Sequence, residues 1–251
     1  MNAITVLKLG GSLAFSRALP AWLAAIEAGA GKTVLVAGGG PFADAVRSAQ
    51  PRMGFDDRAG DAMALLAMEQ YAIALAALSD HLTVAGSFAA IGAALVAGKV
   101  PVWAPGRMVQ RARLAVSPRV HDEIPASWDV TSDSLAAWLA KKLCAHRLLL
   151  IKLRVEKEVT ARIPITAEGL ARLGVVDRAF PRFLAEAHEL ASFWLGPHHR
   201  GTLAQALRDG TPIGSRIGLL AEARPIHHAG RAGEGPRSCA CPPGRRTRTY
   251  P

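Results

Sequence analysis

Two lysines stand where water-seeking side chains are out of place. Lys8 lies in "ITVLKLGGSLA", between Leu7 and Leu9 and just ahead of Gly10, Gly11 and Ser12, and Lys152 ends the apolar run "RLLLIK". An ammonium group in an apolar strand must snorkel to the surface, shed its proton or meet an anion. Either lysine alone could be a solvated edge residue. A second glycine run, Gly38, Gly39 and Gly40 in "VLVAGGGPFADAVR", also follows an apolar strand. Glycine lets backbone N–H groups approach oxygens with no Cβ in the way, and a helix is expected just beyond each run. Two cations and two glycine loops together suit phosphate groups.

Three other chemistries fit less well. "GAGKT" at 29–33 would need a glycine at position 26 to cradle phosphate as a P-loop, but Ile26 stands there, and the strand follows it instead of preceding it. "GGGPFA" matches a dinucleotide fingerprint at Gly38, Gly40 and Ala43. The carboxylate that should end the next strand about 20 residues on is lacking, since Asp56 and Asp57 follow "RMGF", which is no strand. For a metal, His227 and His228 are adjacent, and Cys239 and Cys241 are separated by one residue instead of the usual two to four. No metal site is expected.

Alternating elements would position the lysines and glycines. Strands are expected at 4–9, "TVLVA", "HLTVA", "VPVWAP", "RLLLIKL" and "SFWLG", with a closing strand at "GSRIG". Helices are expected around Leu19–Ile26, after Pro41, from Asp57 to Leu78, in "SFAAIGAALVAG", after Thr131 or Ser132, near Pro181–Leu190 and in "TLAQALRDG". Asp133 suits the first turn of its helix. The pattern predicts an α/β fold, a parallel sheet with helices on both faces. Such sheets present ligands at the carboxyl ends of their strands, so Lys8 and Lys152 can converge on one site.

The chain has 251 residues, half of them hydrophobic, enough for one large α/β domain or two small ones. Its net charge is +10, but residues 219–251 hold six Arg against two Glu, so +4 belongs to a Gly-, Pro- and Arg-rich tail expected to be disordered. The body is mildly basic, with no Lys/Arg cluster interleaved with aromatics, which disfavours a nucleic-acid partner. Three cysteines give no disulfide framework. No apolar run approaches the roughly 20 residues that span a bilayer. A cytoplasmic protein with no membrane partner is expected.

"VLKLGGSL", "VLVAGGGPFADAVR", "WDVTSDSLAAWLA" and "LLLIK", in this order and spacing, resemble the amino-acid kinase superfamily, which includes acetylglutamate kinase, aspartokinase and uridylate kinase. The resemblance covers about residues 4–218, which defines the expected domain as 1–218 with the tail at 219–251. "SWDVTSDSLAAWLA" and "GVVDRAFPRFL" most resemble the branch that phosphorylates [5-(aminomethyl)furan-3-yl]methyl phosphate in methanofuran and methylofuran biosynthesis, part of one-carbon metabolism. The resemblance implies a three-layer αβα sandwich of the carbamate kinase-like type, a homo-oligomer, and ATP with Mg²⁺ as co-substrate. The acceptor-binding half would be N-terminal and the nucleotide-binding half C-terminal.

By the same resemblance Lys8 clamps the transferring phosphoryl group, and Gly10, Gly11 and Ser12 wrap the nucleotide phosphates. Gly38, Gly39 and Gly40 hold the acceptor, supported by Thr131. Asp133 lies between the lysines and orients them, and Lys152 neutralises the leaving phosphate. Asp177 is either a nucleotide-side residue or the N-cap of the helix entered at Phe180. After Lys152 the sequence departs from the family, reading "LRVEKEVTARI" where an acidic, glycine-containing turn is common. The implied reaction is ATP-dependent phosphorylation of a small phosphate or carboxylate acceptor. A uridylate or acetylglutamate-type kinase is the alternative within the family, and a non-catalytic nucleotide- or oxyanion-binding storage protein the alternative outside it. A phosphate acceptor is already a nucleophile near neutral pH and needs no general base, and Mg²⁺ would ride on ATP oxygens.

Overall fold

The computed structural model describes residues 3–114, 124–153 and 165–219. Within them, strands β1 (Thr5–Leu9), β2 (Thr33–Ala37), β3 (Leu82–Ala85), β4 (Val100–Trp103), β5 (Arg147–Ile151), β6 (Ile165–Thr166), β7 (Ala191–Leu195) and β8 (Ser215–Gly218) form one sheet in the order β3-β4-β2-β1-β5-β7-β8-β6. Every pairing is parallel except β7 with β8. β1, β2 and β5 are wholly buried, as their mostly apolar sequences require of strands covered on both faces, with Lys8 and Arg147 the charged exceptions.

The helices are α1 (Leu19–Glu27), α2 (Gly40–Met53), α3 (Asp57–Ala76), α4 (Phe88–Val96), α5 (Gly106–Leu114), α6 (Ser132–Lys142), α7 (Ala167–Arg172), α8 (Phe180–Glu186) and α9 (Arg200–Asp209). One core joins Val6, Val34, Leu148 and Leu150 of the sheet to Leu135 and Trp138 of α6 and Phe180 and Phe183 of α8. A second joins Leu7, Leu9, Leu149 and Ile151 to Trp22 and Ile26 of α1 and Leu203 and Leu207 of α9. The result is the three-layer αβα sandwich read from the sequence. Local signals place the helix ends: Asp56 accepts from the Ala59 N–H at 2.8 Å to start α3, and Gly54, at a φ of +76°, ends α2.

Three elements were not expected: α5, α7 and the two-residue β6. The helix after Ala179 also stops at Glu186, short of the expected Leu190. Leu219 packs partly buried against the first core, while the rest of the expected tail, 220–251, and the "RVEKEVTARI" departure lie outside the described residues. Among the described residues no helix is long and apolar enough to cross a membrane.

Candidate active site

Side-chain parity decides where the two lysines go. On β1, Val6 belongs to the core under α6, whereas Leu7 and Leu9 face α1 and α9. Side chains alternate along a strand, so Lys8 leaves the sheet on the α6 side. On β5, Leu148 and Leu150 share that side, and Lys152 continues it two residues on. The strands are parallel neighbours with Lys8 opposite Leu150, so both ammonium groups emerge together at the carboxyl end of the sheet.

Asp133, in the first turn of α6, meets them both. Its Oδ1 lies 2.8 Å from Lys8 Nζ and its Oδ2 2.7 Å from Lys152 Nζ. Burial pushes the Asp133 carboxyl up, but Lys152 and Lys8 outweigh it and hold it at about 2. Burial drives Lys8 down from its ordinary 10.5 to about 8, with Asp133 opposing the fall and Lys152 adding to it. One carboxylate between two ammonium groups leaves a positive charge in excess, which an anion can satisfy.

Two hollows border this bridge. A cavity of about 310 Å³ is walled by Lys8, Gly11, Ser12 and Gly38, Gly39 and Gly40, with apolar Leu65, Met68 and Leu135 and polar Arg47 and Asp61 farther round. A wider cleft of about 870 Å³ runs past Arg172, Gly174, Val176, Asp177 and Arg178. Trp128, Thr131, Asp133 and Lys152 border both, and Gly10 borders neither. The expected site residues Lys8, Gly11, Ser12, Gly38, Gly39, Gly40, Thr131, Asp133 and Lys152 are thus brought together. The two glycine loops press on each other: a Cβ on Gly11 would stand 2.7 Å from the Gly40 backbone. Gly40 itself takes a φ of +53°, against the Tyr71 ring, so contact between the two loops demands glycine there as firmly as a ligand would.

Asp177 is not the N-cap of α8. That position is Ala179, without a side-chain bond, and Asp177 offers α8 only its carbonyl, which accepts from the Phe180 N–H at 3.2 Å. Its carboxylate instead turns to the start of α6. Oδ2 accepts from the Thr131 N–H at 3.0 Å, the Thr131 hydroxyl at 2.8 Å and the Ser134 N–H at 3.0 Å, while Oδ1 accepts from the Ser134 hydroxyl. Thr131 occupies the N-cap of α6 but makes no capping bond of its own, because a stronger acceptor has taken the free N–H groups. Burial and the nearby Asp133 charge push Asp177 up against the pull of those hydrogen bonds.

Sequence reasoning passed over Trp128, Arg47 and Asp61. The Trp128 indole N–H donates to Gln50 Oε1 at 2.7 Å, Gln50 donates in turn to Asp57 at 2.8 Å, and the Arg47 guanidinium lies 4.8 Å from the indole centroid. Asp61 on α3 takes a two-pronged contact from Arg113, at 2.6 and 3.0 Å. A tryptophan in a loop, outside any apolar stripe, was the signal available.

Among the described residues no group of three or more His, Cys, Asp or Glu could hold a metal ion. The oxygens of Asp133 face the lysines and those of Asp177 the start of α6, so among the described residues these two carboxylates form no cage for Mg²⁺.

The profile described as Amino acid kinase family matches residues 3–153, which include Lys8, Asp133 and Lys152. No curated protein shows significant sequence similarity to the chain. Among solved structures, uridylate kinase from Archaeoglobus fulgidus superposes with a TM-score of 0.59 at 16% identity, covering 86% of this chain and 100% of that one. UMP kinase from Ureaplasma parvum gives 0.59 at 16%, covering 86% and 98%. The isopentenyl phosphate kinase product complex from T. acidophilum gives 0.51 at 13%, covering 85% and 99%. At such identities these likenesses establish the fold, and the profile match establishes the lineage: the chain belongs to the amino acid kinase family and is a small-molecule phosphotransferase.

Proposed function

We propose that the protein transfers the γ-phosphoryl group of ATP to a small acceptor that already carries a phosphate. The best candidate is [5-(aminomethyl)furan-3-yl]methyl phosphate, converted to its diphosphate. The observation that carries this reading is the bridge of Lys8, Asp133 and Lys152 between a glycine-walled cavity and a wider cleft. The cavity takes the acceptor and the cleft the nucleotide, whose terminal phosphates reach past the bridge to Gly11 and Ser12 on the cavity wall, so the two phosphate chains meet over the bridge. Two observations favour phosphate over carboxylate. Solved structures similar in fold include kinases of UMP and of isopentenyl phosphate, both phosphate esters by name. The furan branch is supported by the motifs around Trp128 and Asp177.

Transfer then rests on position and charge. An acceptor phosphate oxygen attacks the γ-phosphorus in line with the departing β-phosphate oxygen. Lys8 and the backbone N–H groups of the glycine loops steady the transferring group, and Lys152 offsets the charge that grows on the leaving group. Asp133, held ionised by its two cations, aims both ammonium groups and removes no proton. Mg²⁺, arriving on ATP, supplies further charge neutralisation when bound. The homo-oligomer belongs to the same proposal, supported by the apolar outer side of α3, where Leu66 and Ile73 are more than half exposed.

The test is ATP consumption by the full chain against aminomethylfuran phosphate, UMP, isopentenyl phosphate and acetylglutamate. Turnover should be fastest with the furan ester. Preference for UMP would reassign the acceptor, preference for acetylglutamate would replace phosphate by carboxylate, and ATP binding without consumption on any of them would favour the storage or binding role.

A further inference from the structure

Asp177 spends four hydrogen bonds on the two residues that flank Ser132 and Asp133. Its own loop is fixed from the other direction. The Val175 N–H donates to Leu170 O at 2.9 Å, and the Ala179 N–H donates to Asp129 O at 3.0 Å. Arg178 reaches Asp129 at 3.7 Å. Segments 128–133 and 171–178 are therefore joined both along the backbone and through a carboxylate, and they form facing parts of the wall of the wider cleft. A helix cap needs one or two acceptor contacts. Four contacts on a largely buried acid fix the helical register of the first turn, and with it the place of Asp133.

Resting on the phosphotransfer reading above, we propose that Asp177 is a positioning residue. It pins the first turn of α6 so that Asp133 holds both lysines in line, and it ties that alignment to the wall of the nucleotide cleft. A nucleotide that presses on 171–178 thereby acts on the lysine bridge with no residue moving between them. The charged groups around Asp133 are Lys8 from β1, Lys152 from the end of β5, and Asp177 itself. Any slackening of Asp133 registers at Lys8, which depends on that carboxylate to keep its proton.

Two variants test this. Asp177→Asn removes the charge and trades one acceptor oxygen for an amide NH₂ that only the Ser134 hydroxyl can receive, so the contacts to α6 lose their charge assistance, and Ser134→Ala removes one contact while leaving every charge in place. The kcat for the best acceptor should fall about tenfold in Ser134→Ala and up to about 10²-fold in Asp177→Asn, with acceptor KM little changed, since misplacement of this kind is felt in the transition state. Independently of turnover, the Lys8 titration is followed by NMR on protein with ¹³C-labelled lysine, its signal assigned by its loss in Lys8→Met. Lys8 should titrate lower in both variants than in the wild type. The charge-conserving Ser134→Ala separates position from simple loss of a negative charge, and it carries the test if Asp177→Asn fails to fold. A Lys8 titration unchanged in Ser134→Ala overturns the proposal, even if melting temperature and kcat fall, because a structural cap would give that pattern. A wild type that consumes no ATP would overturn the phosphotransfer reading, while the titration would still decide the role of Asp177.

Discussion

Lys8 could be recognised in the sequence because it breaks a rule: an ammonium among buried leucines needs a partner, and Asp133 at 2.8 Å is that partner. Replacing Lys8 or Lys152 with Met keeps the apolar stem and removes the charge. Turnover should fall about 10²–10³-fold, the loss expected for one preorganised electrostatic donor, while circular dichroism shows the fold retained. The pH profile separates the members of the bridge. Lys8 loses its charge above about 8, so kcat/KM should decline through an alkaline limb there. Bound triphosphate favours the charged form, so the limb in kcat should lie at higher pH. Asp133, ionised above about 2, should contribute no limb between pH 6 and 9. Asp133→Asn should lower kcat more than it changes KM, and a neutral limb present in the wild type but absent from that variant would make Asp133 a base. Asp177 was harder to read. A carboxylate three residues before a helix start and one close to another helix in space look alike in sequence, and only the fold shows which set of N–H groups it reaches.

Among the elements, those with an unbroken apolar period were legible and α5 was not. "GRMVQRARL" carries four charged or amide side chains in nine residues, and its helical state is set by contacts distant in sequence. Chief among these is Arg113, which holds Asp61 on α3 and donates to the carbonyls of Ile124 at 2.9 Å and Pro125 at 3.1 Å. Asp61 is 6% exposed in its side chain, so Arg113→Met would strand a buried charge. The expected loss is about 3–5 kcal/mol, read as a lower urea midpoint. The Arg47–Asp44 pair on α2 has both side chains more than half exposed, and Asp44→Asn should change stability by less than about 1 kcal/mol. The same urea titrations check both. Because Ile124 and Pro125 lead directly to Trp128 and Asp133, the Arg113 variant should also raise acceptor KM.

Across the whole molecule, the alternating strands and helices made the sandwich legible, but the order of the strands, with β1 beside β5, was not, since pairing across 142 residues leaves no local trace. β5 shows what that order does. Its four middle residues are apolar on both faces, and it carries a cation at each end, one per face. Arg147 turns to the α9 side, where it donates to Ala206 O at 2.6 Å near the end of that helix, and Lys152 turns to the start of α6. The sheet core would accept a strand slipped by one residue, while the site would not. Inserting one leucine among Leu148, Leu149 and Leu150 should therefore leave a folded, cooperatively melting protein whose ATP turnover is as low as that of Lys152→Met, and turnover near that of the wild type would refute this. In descent, such a gene could exchange many of its core residues one for another, but a change in the length of this strand would cost it the reaction while sparing the fold, a route by which a kinase becomes a protein that merely binds.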